Sequence, residues 1–413
     1  MRDTELYQHL LGLLSPWSVT RVELTLSQHQ VDVWAEHSDS AVWSCPECGK
    51  AAPLYDHSQE RAWRHLDSCQ FKTILHARPP RVTCGEHGVR QVKLPWAEGS
   101  GRFTSLFERL AIDVLRETSV LGATTILRIS WDEAWGIMLR AVARGKLAKK
   151  SSLVEVIGVD EKAVAKGQKY ITLVCDLQRA TVEFIADNRT TESLDAFYTG
   201  LTDDQRRGIK AVAMDMWPAF ISSTTNHVPD AKSKIVFDRF HIAKHMGEAV
   251  DQVRRDENRE LTATGDETLV GTKHLWLWRQ ENLPERHHDW FARLRAANLR
   301  TGRAWALAEC LRGLWEYTRK AWAMKWWRSW YFWATHSKLA PVIDVARMIN
   351  NHLECVMTYF DHRITNAVSE GLNSKIQTIK KMASGYRNKE NFKTAIFFHC
   401  GGLDLYPTTH AKA

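Results

Sequence analysis

The spacing of apolar side chains changes along this chain. Residues 18 to about 44 alternate apolar and polar positions, as in VTRVELTLSQHQVDVWAE, which predicts half-buried strands. In residues 103 to about 146 the apolar positions instead recur at helical spacing. This spacing predicts three helices, FTSLFERLAIDVLRET, SVLGATTILR and WDEAWGIMLRAVARGK. Ser130 is the expected N-cap of the third helix. From Leu153 the pattern becomes a mixture of strands and helices, so we expect a multidomain α/β protein.

The mixed region begins with three strands, LVEVIGVD, KYITLVCDL and TVEFIADN, with turn signals at Lys166-Gly167 and Gln178-Arg179. A helix over SLDAFYTGLTDDQRRG and two strands, IKAVAMD and AKSKIVFD, follow. The order β-β-β-α-β-α-β is that of the RNase H-like fold. Because the first and fourth strands of that fold are neighbours at the sheet centre, Asp160 and Asp215 are expected to lie side by side at the strand ends.

A third acidic residue, Glu370, lies in TNAVSEGLNSKIQTIKK, near the start of a basic helix predicted from about Val368 to Met382. Carboxylates on rigid elements beside positive charge are what a pair of Mg²⁺ ions requires in order to promote cleavage of a phosphate backbone. A single aspartate at a strand end ordinarily caps a turn, but three acids in this order favour a metal site. The pattern therefore predicts a DNA-processing enzyme.

Two short motifs near the N-terminus predict a zinc ribbon. Cys45-Pro-Glu-Cys48-Gly is one knuckle, and Cys84 with His87, after the strand-like FKTILHARPPRVT, is the second. Each knuckle offers two ligands to one side of a tetrahedral Zn²⁺. The gap between the knuckles is long and the second ends in histidine, so three further residues are alternative ligands: Cys69, His57 and His65. The other interpretation is a set of ordinary buried thiols and surface imidazoles.

The third predicted helix ends in Arg140, Arg144 and Lys146, which is typical of a helix-turn-helix that contacts DNA. A small helical bundle that only connects domains is the alternative. Ser151-Ser152 then forms a predicted linker.

The composition also bears on the binding partner and the cellular location of the protein. The chain has 413 residues and a formal net charge of +8, which favours a polyanionic partner such as DNA. No run of eighteen apolar residues occurs and the N-terminus lacks a signal-peptide pattern, so we expect a cytoplasmic, nucleoid-associated protein without membrane contact. The eight cysteines are dispersed and are expected to be reduced.

Four blocks of the sequence resemble the catalytic blocks of DDE transposases from bacterial insertion sequences, specifically the ISL-three family. The blocks are GVDEKAVAKGQKYITLVCDL, MDMWPAF, FDRFHIAKH and TNAVSEGLNSKIQTIKKMASGYRNKENF. The predicted zinc ribbon and helix-turn-helix are similar too, so the resemblance covers nearly the whole chain. It implies that Asp160, Asp215 and Glu370 form a triad that binds Mg²⁺ or Mn²⁺. His87 replaces the usual cysteine, which leaves the exact zinc ligands open.

The block FDRFH contains Asp238 and His241, which match a D-x2-H motif of several DDE groups. The resemblance implies that His241 lies near the scissile phosphate, where an imidazole can donate to a phosphate oxygen. A helix-capping aspartate with a half-exposed histidine is the alternative.

The segment between His241 and Glu370 is helical and carries ten tryptophans interleaved with arginine and lysine. At helical spacing most of these indoles are expected to form a core face, and one or two, in KWWRSWYFW, to touch DNA. After Glu370, a basic run is the candidate phosphate track: Lys375, Lys380, Arg387 and Lys389.

We therefore expect five consecutive regions. They are a zinc-binding domain (1–98), a helix-turn-helix (99–150), the first part of an RNase H-like catalytic domain (151–244), a helical insertion (245–362) and the C-terminal part of the catalytic domain (363–413).

The reaction implied by the resemblance begins with attack of water on the phosphodiester at the end of the element, which leaves a 3′-hydroxyl. That hydroxyl then attacks target DNA by in-line transesterification. Because two double-stranded ends must be joined, we expect a homodimer. The alternatives are an RNase H-like nuclease or resolvase that does not transpose, and a catalytically silent regulator derived from a transposase.

Overall fold

The computed structural model describes residues 2–99, 101–149, 153–165 and 169–408. Its contacts divide the chain into two units, Met1–Lys150 with Ile379–Ala413, and Ser151–Thr378. The predicted linker at Ser151-Ser152 and the predicted turn at Lys166-Gly167 lie outside the described residues. No helix in the described ranges has both the length and the apolar character of a membrane span.

The first unit starts with a short helix and two small sheets. The elements are α1 (Asp3–Leu10), β1 (Trp17–Thr25), β2 (Gln30–His37), β3 (Leu54–His57), β4 (Arg61–Arg64), β5 (Lys72–Ala77), β6 (Pro80–Cys84) and β7 (Gly88–Gln91). One sheet has the order β1-β2-β5-β4 and the other β3-β6-β7. Alternation buries Val31, Val33 and Ala35 of β2 against a core that includes Trp17 and Trp63. The predicted alternation from residue 18 is thereby confirmed.

Three helices follow in this unit: α2 (Ser105–Glu117), α3 (Val120–Leu127) and α4 (Trp131–Ala148). Each begins at a hydroxyl N-cap, because Thr104, Ser119 and Ser130 accept a bond from the backbone N–H three residues later. Arg128 adopts a left-handed conformation and ends α3, and Ser130 with Glu133 forms a capping box that starts α4. The predicted three helices and the Ser130 cap are confirmed.

The second unit is built on a mixed five-stranded sheet. Its strands are β8 (Val156–Ala165), β9 (Lys169–Asp176), β10 (Thr181–Asp187), β11 (Ala211–Met214) and β12 (Ile235–Phe237), in the order β10-β9-β8-β11-β12. β8, β9 and β10 pair antiparallel, whereas β11 pairs parallel with β8 and with β12. The predicted RNase H-like order is confirmed, with the first and fourth strands adjacent.

Four helices connect these strands: α5 (Thr191–Thr199), α6 (Asp203–Gly208), α7 (Pro218–His227) and α8 (Ala231–Lys234). Two details differ from the sequence prediction. The single helix predicted over SLDAFYTGLTDDQRRG is two helices, because Thr202 and Gln205 form a capping box that starts a new one. The strand predicted over AKSKIVFD is a helical turn followed by the three-residue strand β12.

The insertion contributes eight helices to this unit. They are α9 (Arg239–Ala263), α10 (Lys273–Leu277), α11 (His288–Ala296), α12 (Arg300–Arg312), α13 (Lys320–Thr335), α14 (Ala340–Asn351), α15 (Leu353–Met357) and α16 (Tyr359–His362). α9 crosses the predicted boundary at 244/245, and one hydrophobic core contains both Val212 of the sheet and Trp305 and Trp327 of the insertion. The insertion and the sheet therefore share a single core.

The last helices are α17 (Ala367–Met382) and α18 (Lys389–Cys400). The division between the units falls inside α17, so Ile379–Ala413 belongs with the N-terminal unit, whereas the sequence prediction gives all of 363–413 to the catalytic domain. The physical reason is close packing on α4. Gly145 lies so near the C-terminal segment that a Cβ atom there would be 2.7 Å from Leu403 Cβ. Lys149 Nζ also donates to the carbonyl of Gly401 at 3.1 Å.

Candidate active site

Asp160 and Asp215 lie at the same level of two neighbouring parallel strands. Gly158 of β8 is in register with Ala213 of β11, and the two aspartates are each two residues further along. β11 ends at Met214, just before Asp215, whereas β8 continues to Ala165 and carries Asp160 in its interior. Both aspartates therefore lie where the parallel pairing of the two strands ends, which we call the carboxylate edge. The predicted neighbourhood of these two aspartates is confirmed, but the prediction that Asp160 lies at a strand end is wrong, because β8 continues past it in its pairing with β9.

The Asp160 carboxylate is held by two hydrogen bonds. Its Oδ1 accepts from the backbone N–H of Glu161 at 2.7 Å, and its Oδ2 accepts from Asn373 Nδ2 at 2.6 Å. Burial raises the pKa of Asp160 to about 6, and the hydrogen bond from Glu161 and the charge of His241 oppose that rise. A carboxylate whose charge is poorly solvated gains most from a nearby cation.

Asp215 is fixed by its own backbone and by a histidine. Its Oδ1 accepts from the N–H of Met216 at 2.5 Å, and its Oδ2 lies 3.3 Å from His241 Nδ1. His241 is on the first turn of α9, whose N-cap is Asp238. Asp238 therefore caps the helix, as the alternative interpretation of FDRFH has it, and His241 lies beside Asp215. The place of His241 near a scissile phosphate stays a prediction.

The first turn of α17, which bears Glu370, packs directly on β8. A Cβ atom at Gly158 would overlap Ser369 Oγ and would lie 3.1 Å from Asn366 Oδ1, so glycine is what allows the close approach. Ser369 and Asn366 are buried, whereas Glu370 is exposed. Asn373, one turn later, makes the bond to Asp160. Glu370 therefore lies on the turn between two anchored residues.

The three carboxylates do not form one tight cluster. Within the described ranges, the group whose ligand atoms all lie within 4.8 Å of one another is Cys45, Cys48, Cys84 and His87, and the acidic triad is outside that limit.

Several polar atoms near the triad are buried without a hydrogen-bond partner. They are Asp238 Oδ2, Asn366 Oδ1 and Nδ2, Ser369 Oγ and Asn373 Oδ1. Such atoms are costly unless a ligand or water satisfies them. Oxygen atoms of carboxylates and amides are also the donors that Mg²⁺ and Mn²⁺ prefer. The residues present at this edge therefore fit a hard divalent cation.

Sequence reasoning missed Asn366, Ser369 and Asn373 as parts of the site. Asn366 precedes α17 and its carbonyl accepts from the backbone N–H of Glu370, so that, counted from Asn366, these residues and Glu370 lie at i, i+3, i+4 and i+7, the spacing of one helix face. Asparagine and serine at that spacing around Glu370 were the signal that could have identified them.

The zinc ligands form a second site, in the first unit. Cys48 Sγ lies 3.8 Å from Cys84 Sγ, and Cys84 Sγ lies 3.6 Å from His87 Nδ1. A tetrahedral ion with Zn–S bonds of ~2.3 Å and Zn–N bonds of ~2.1 Å separates its ligand atoms by ~3.8 and ~3.6 Å. The positive φ of Gly49 (71°) closes the first knuckle after Cys48. These distances are those of a Cys₃His zinc site.

The alternative ligands have other partners. His57 Nε2 lies 2.7 Å from His37 Nε2, His65 Nδ1 lies 2.9 Å from Thr104 Oγ1, and Cys69 is exposed. Hydrogen bonds from the backbone N–H of Glu86 and from His87 lower the pKa of Cys84 to about 6, which favours the thiolate that zinc binds. The predicted set of Cys45, Cys48, Cys84 and His87 is therefore the one that the fold assembles.

The basic residues of α4 have structural partners. Arg140 Nε donates to Glu108 at 2.9 Å, and Arg144 bonds Glu98 at 2.9 Å and Glu108 at 3.1 Å. Lys146 lies 3.5 Å above the ring of Phe397. These contacts join α4 to its neighbours in the unit and favour a packing role for the two arginines. Of the C-terminal run, Lys375 and Arg387 are exposed, and Lys380 and Lys389 are half-buried.

Three family models match this chain. One described as "Transposase", the DDE model of the ISL3 family, matches residues 157–396. Others described as "zinc-finger of transposase IS204/IS1001/IS1096/IS1165" and "Helix-turn-helix domain of transposase family ISL3" match residues 41–87 and 92–142.

Curated relatives of the chain are also described as transposases. The chain is 28% identical over 358 residues to the transposase for insertion sequence element IS1001 of Bordetella parapertussis, which covers 85% of this chain and 87% of that one. It is 25% identical over 420 residues to the transposase for IS1557 of Mycobacterium tuberculosis, with 94% of each chain covered. Since the catalytic model alone matches more than half of the residues, the chain belongs to the ISL3 family of insertion-sequence transposases, with an N-terminal zinc ribbon and helix-turn-helix before the DDE domain.

Proposed function

We propose that this protein binds the terminal inverted repeats of an insertion sequence, cuts the DNA at their ends and joins the ends to target DNA. The observation that carries the proposal is the edge of the sheet in the second unit. There Asp160 and Asp215 lie beside each other where the parallel pairing of β8 and β11 ends, and the helix that bears Glu370 is bonded to Asp160 through Asn373. The zinc ribbon and helix-turn-helix supply the DNA-binding modules of the same chain.

Asp160, Asp215 and Glu370 would hold the divalent cations. Mg²⁺ or Mn²⁺, when bound, supplies positive charge that stabilises the attacking and leaving oxygens of an in-line displacement. His241, oriented by Asp215, would donate a hydrogen bond to a non-bridging phosphate oxygen. Asn373 would keep the Asp160 carboxylate in one orientation.

The chemistry has two displacements. In the first, water attacks the phosphorus at the element end, the P–O3′ bond breaks, and the 3′-oxygen leaves with a proton as a hydroxyl. In the second, that hydroxyl attacks a phosphorus of target DNA and a target 3′-oxygen leaves. Each displacement forms one P–O bond and breaks one, so no covalent protein intermediate is required.

DNA contact is proposed for the basic residues that the sequence singles out at the end of α4 and in the C-terminal run, apart from the two arginines of α4. These are Lys146, Lys375, Lys380, Arg387 and Lys389, with Arg140 and Arg144 assigned instead to the ion pairs that hold α4. Lysine and arginine bind phosphates without regard to sequence, so this set would position the DNA. Two chains would bring two ends together as a homodimer.

The proposal is tested by incubating the protein with linear DNA that carries candidate terminal repeats, with and without Mg²⁺. We expect nicks at the repeat ends that require the metal. The substitutions Asp160→Asn, Asp215→Asn and Glu370→Gln should each lower the cleavage rate by about 10²–10³-fold, as loss of one preorganised charge does. Asp344→Asn, at an exposed carboxylate on α14, is the matched control and should cut normally.

Cleavage without end preference would instead support a nuclease or resolvase. Repeat binding with no cleavage under any metal condition would support a catalytically silent regulator. Either result would contradict the proposed function.

A further inference from the structure

Helix α13 (Lys320–Thr335) exposes an unusual face. Three large aromatic side chains on it are in contact with solvent: Trp322 is 56% exposed, Phe332 63% and Trp333 45%. The same helix buries Trp327 and Trp330 in the core, and the indole of Trp330 donates to the carbonyl of Leu307. Packing in the core therefore explains the aromatic residues on one side of the helix but not those on the side that faces solvent.

The exposed aromatics form an interrupted stripe along the axis. Trp322, Lys325, Ser329, Phe332 and His336 follow the i, i+3, i+4 spacing of a single helix face, and Trp333 lies beside Phe332. The small Ser329 leaves a gap between the two aromatic ends. At ~1.5 Å per residue, Trp322 and Trp333 are separated by ~16 Å, which is the length of about five nucleotides at the ~3.4 Å spacing of a stacked strand.

The charge on this face has one sign. α13 contains Lys320, Lys325 and Arg328 and no aspartate or glutamate. Lys320 is paired with Asp361, whereas Lys325 lies 5.5 Å above the ring of Trp322 and Arg328 is exposed. His336 stacks on Phe332 with ring centroids 4.0 Å apart. The stripe thus combines flat apolar surfaces with cations at their edges.

We propose that this aromatic stripe, Trp322, Lys325, Phe332 and Trp333, binds single-stranded DNA by stacking on unpaired bases while Lys325 and Arg328 hold the phosphates. Base stacking on aromatic side chains with cations along the backbone is how proteins bind single strands without sequence preference. An apolar protein partner fits the stripe less well, because lysine is depleted at the centre of protein interfaces. The assignment rests on the proposed function, in which a cut end exposes unpaired nucleotides.

The test measures binding of the full-length protein to a fluorescently labelled 12-nucleotide oligo-dT and to a duplex terminal repeat. In the variant Trp322→Ala/Phe332→Ala/Trp333→Ala, we expect affinity for the single strand to fall at least tenfold and affinity for the duplex to stay within twofold. Trp290→Ala, at an indole 39% exposed on α11, is the matched control and should bind both DNAs as the parent does.

A second variant, Lys325→Glu/Arg328→Glu, keeps the aromatic rings and should also weaken single-strand binding at least tenfold. If both variants bind the single strand like the parent, or if the triple variant instead turns a dimer into a monomer without loss of single-strand affinity, the assignment is overturned. Failure of the proposed function gives a different result, because single-strand binding would then persist in a protein that never cuts repeat ends.

Discussion

At the scale of single residues, Asn373 is the residue whose side chain holds the carboxylate of Asp160. Its Nδ2 donates to Asp160 Oδ2 at 2.6 Å, its backbone carbonyl accepts from Lys162 Nζ at 3.3 Å, and its Oδ1 is buried without a partner. A hydrogen bond to an ionised group contributes ~1.5–3 kcal/mol. Asn373 is therefore a positioning residue for the carboxylate that would ligate the metal.

We expect Asn373→Ala to lower the rate of end cleavage about tenfold and to raise the Mg²⁺ concentration that gives half-maximal cleavage, because the Asp160 carboxylate loses its fixed orientation. A Mg²⁺ titration of the cleavage rate measures both. Asn350→Ala is the control, since Asn350 accepts a bond from the Trp327 indole and should change stability without changing the Mg²⁺ requirement. An unaltered titration in Asn373→Ala would refute the positioning role.

At the scale of elements, the sequence was sufficient where one strong local signal acted alone. Ser130 was identifiable as an N-cap because a hydroxyl preceded a helical repeat, and the first half of β8 because it is an apolar run. The continuation of β8 past Asp160 to Ala165 was missed, because charged residues follow the aspartate. The break between α5 and α6 was missed, since a capping box at Thr202 interrupts a pattern that is otherwise helical. The packing of α17 on β8 was also beyond the sequence, because it depends on residues more than 200 positions apart.

That packing gives a prediction for Gly158→Ala. A Cβ atom there would overlap Ser369 Oγ and would lie 2.6 Å from Leu177 Cδ2, so these side chains must move, and we expect α17 to shift and to carry Glu370 with it. Overpacking of this kind costs ~1–3 kcal/mol. We expect cleavage to fall about tenfold or more while binding of the terminal repeat is kept, as measured by a strand-cleavage assay beside a gel-shift assay.

The double variant Gly158→Ala/Ser369→Gly removes the closest obstacle and should recover part of the cleavage activity. If Gly158→Ala alone cuts at the parent rate, the close approach of α17 to β8 does not set the position of Glu370.

At the scale of the whole molecule, the chain divides its chemistry between two units. The zinc ligands lie in Met1–Lys150, and the acidic triad lies in Ser151–Thr378. The sequence predicted both sites by motif. It did not predict that Ile379–Ala413 joins the N-terminal unit, because that assignment depends on contacts of α4 with residues such as Leu405, whose carbonyl accepts from Arg144 at 2.6 Å.

Because the two sites lie in different units, we expect loss of zinc to affect the first unit and not the second. Cys84→Ser removes one of four ligands, and structural zinc contributes ~10–16 kcal/mol of apparent binding free energy in small zinc domains. We expect the variant to lose its one equivalent of zinc, to lose specific binding of the terminal repeat, and to unfold its first unit at a lower temperature. The melting of the second unit should be unchanged, because its core contains none of the ligands.

Metal analysis with calorimetry and a gel-shift assay provides the measurement. Cys69→Ser, an exposed cysteine outside the cluster, is the control and should keep both zinc and DNA binding. Retention of one zinc per chain in Cys84→Ser would contradict the ligand set. Equal destabilisation of both units would show that the second unit depends on the zinc-binding unit for its own folding, since the zinc ligands make no contribution to its core.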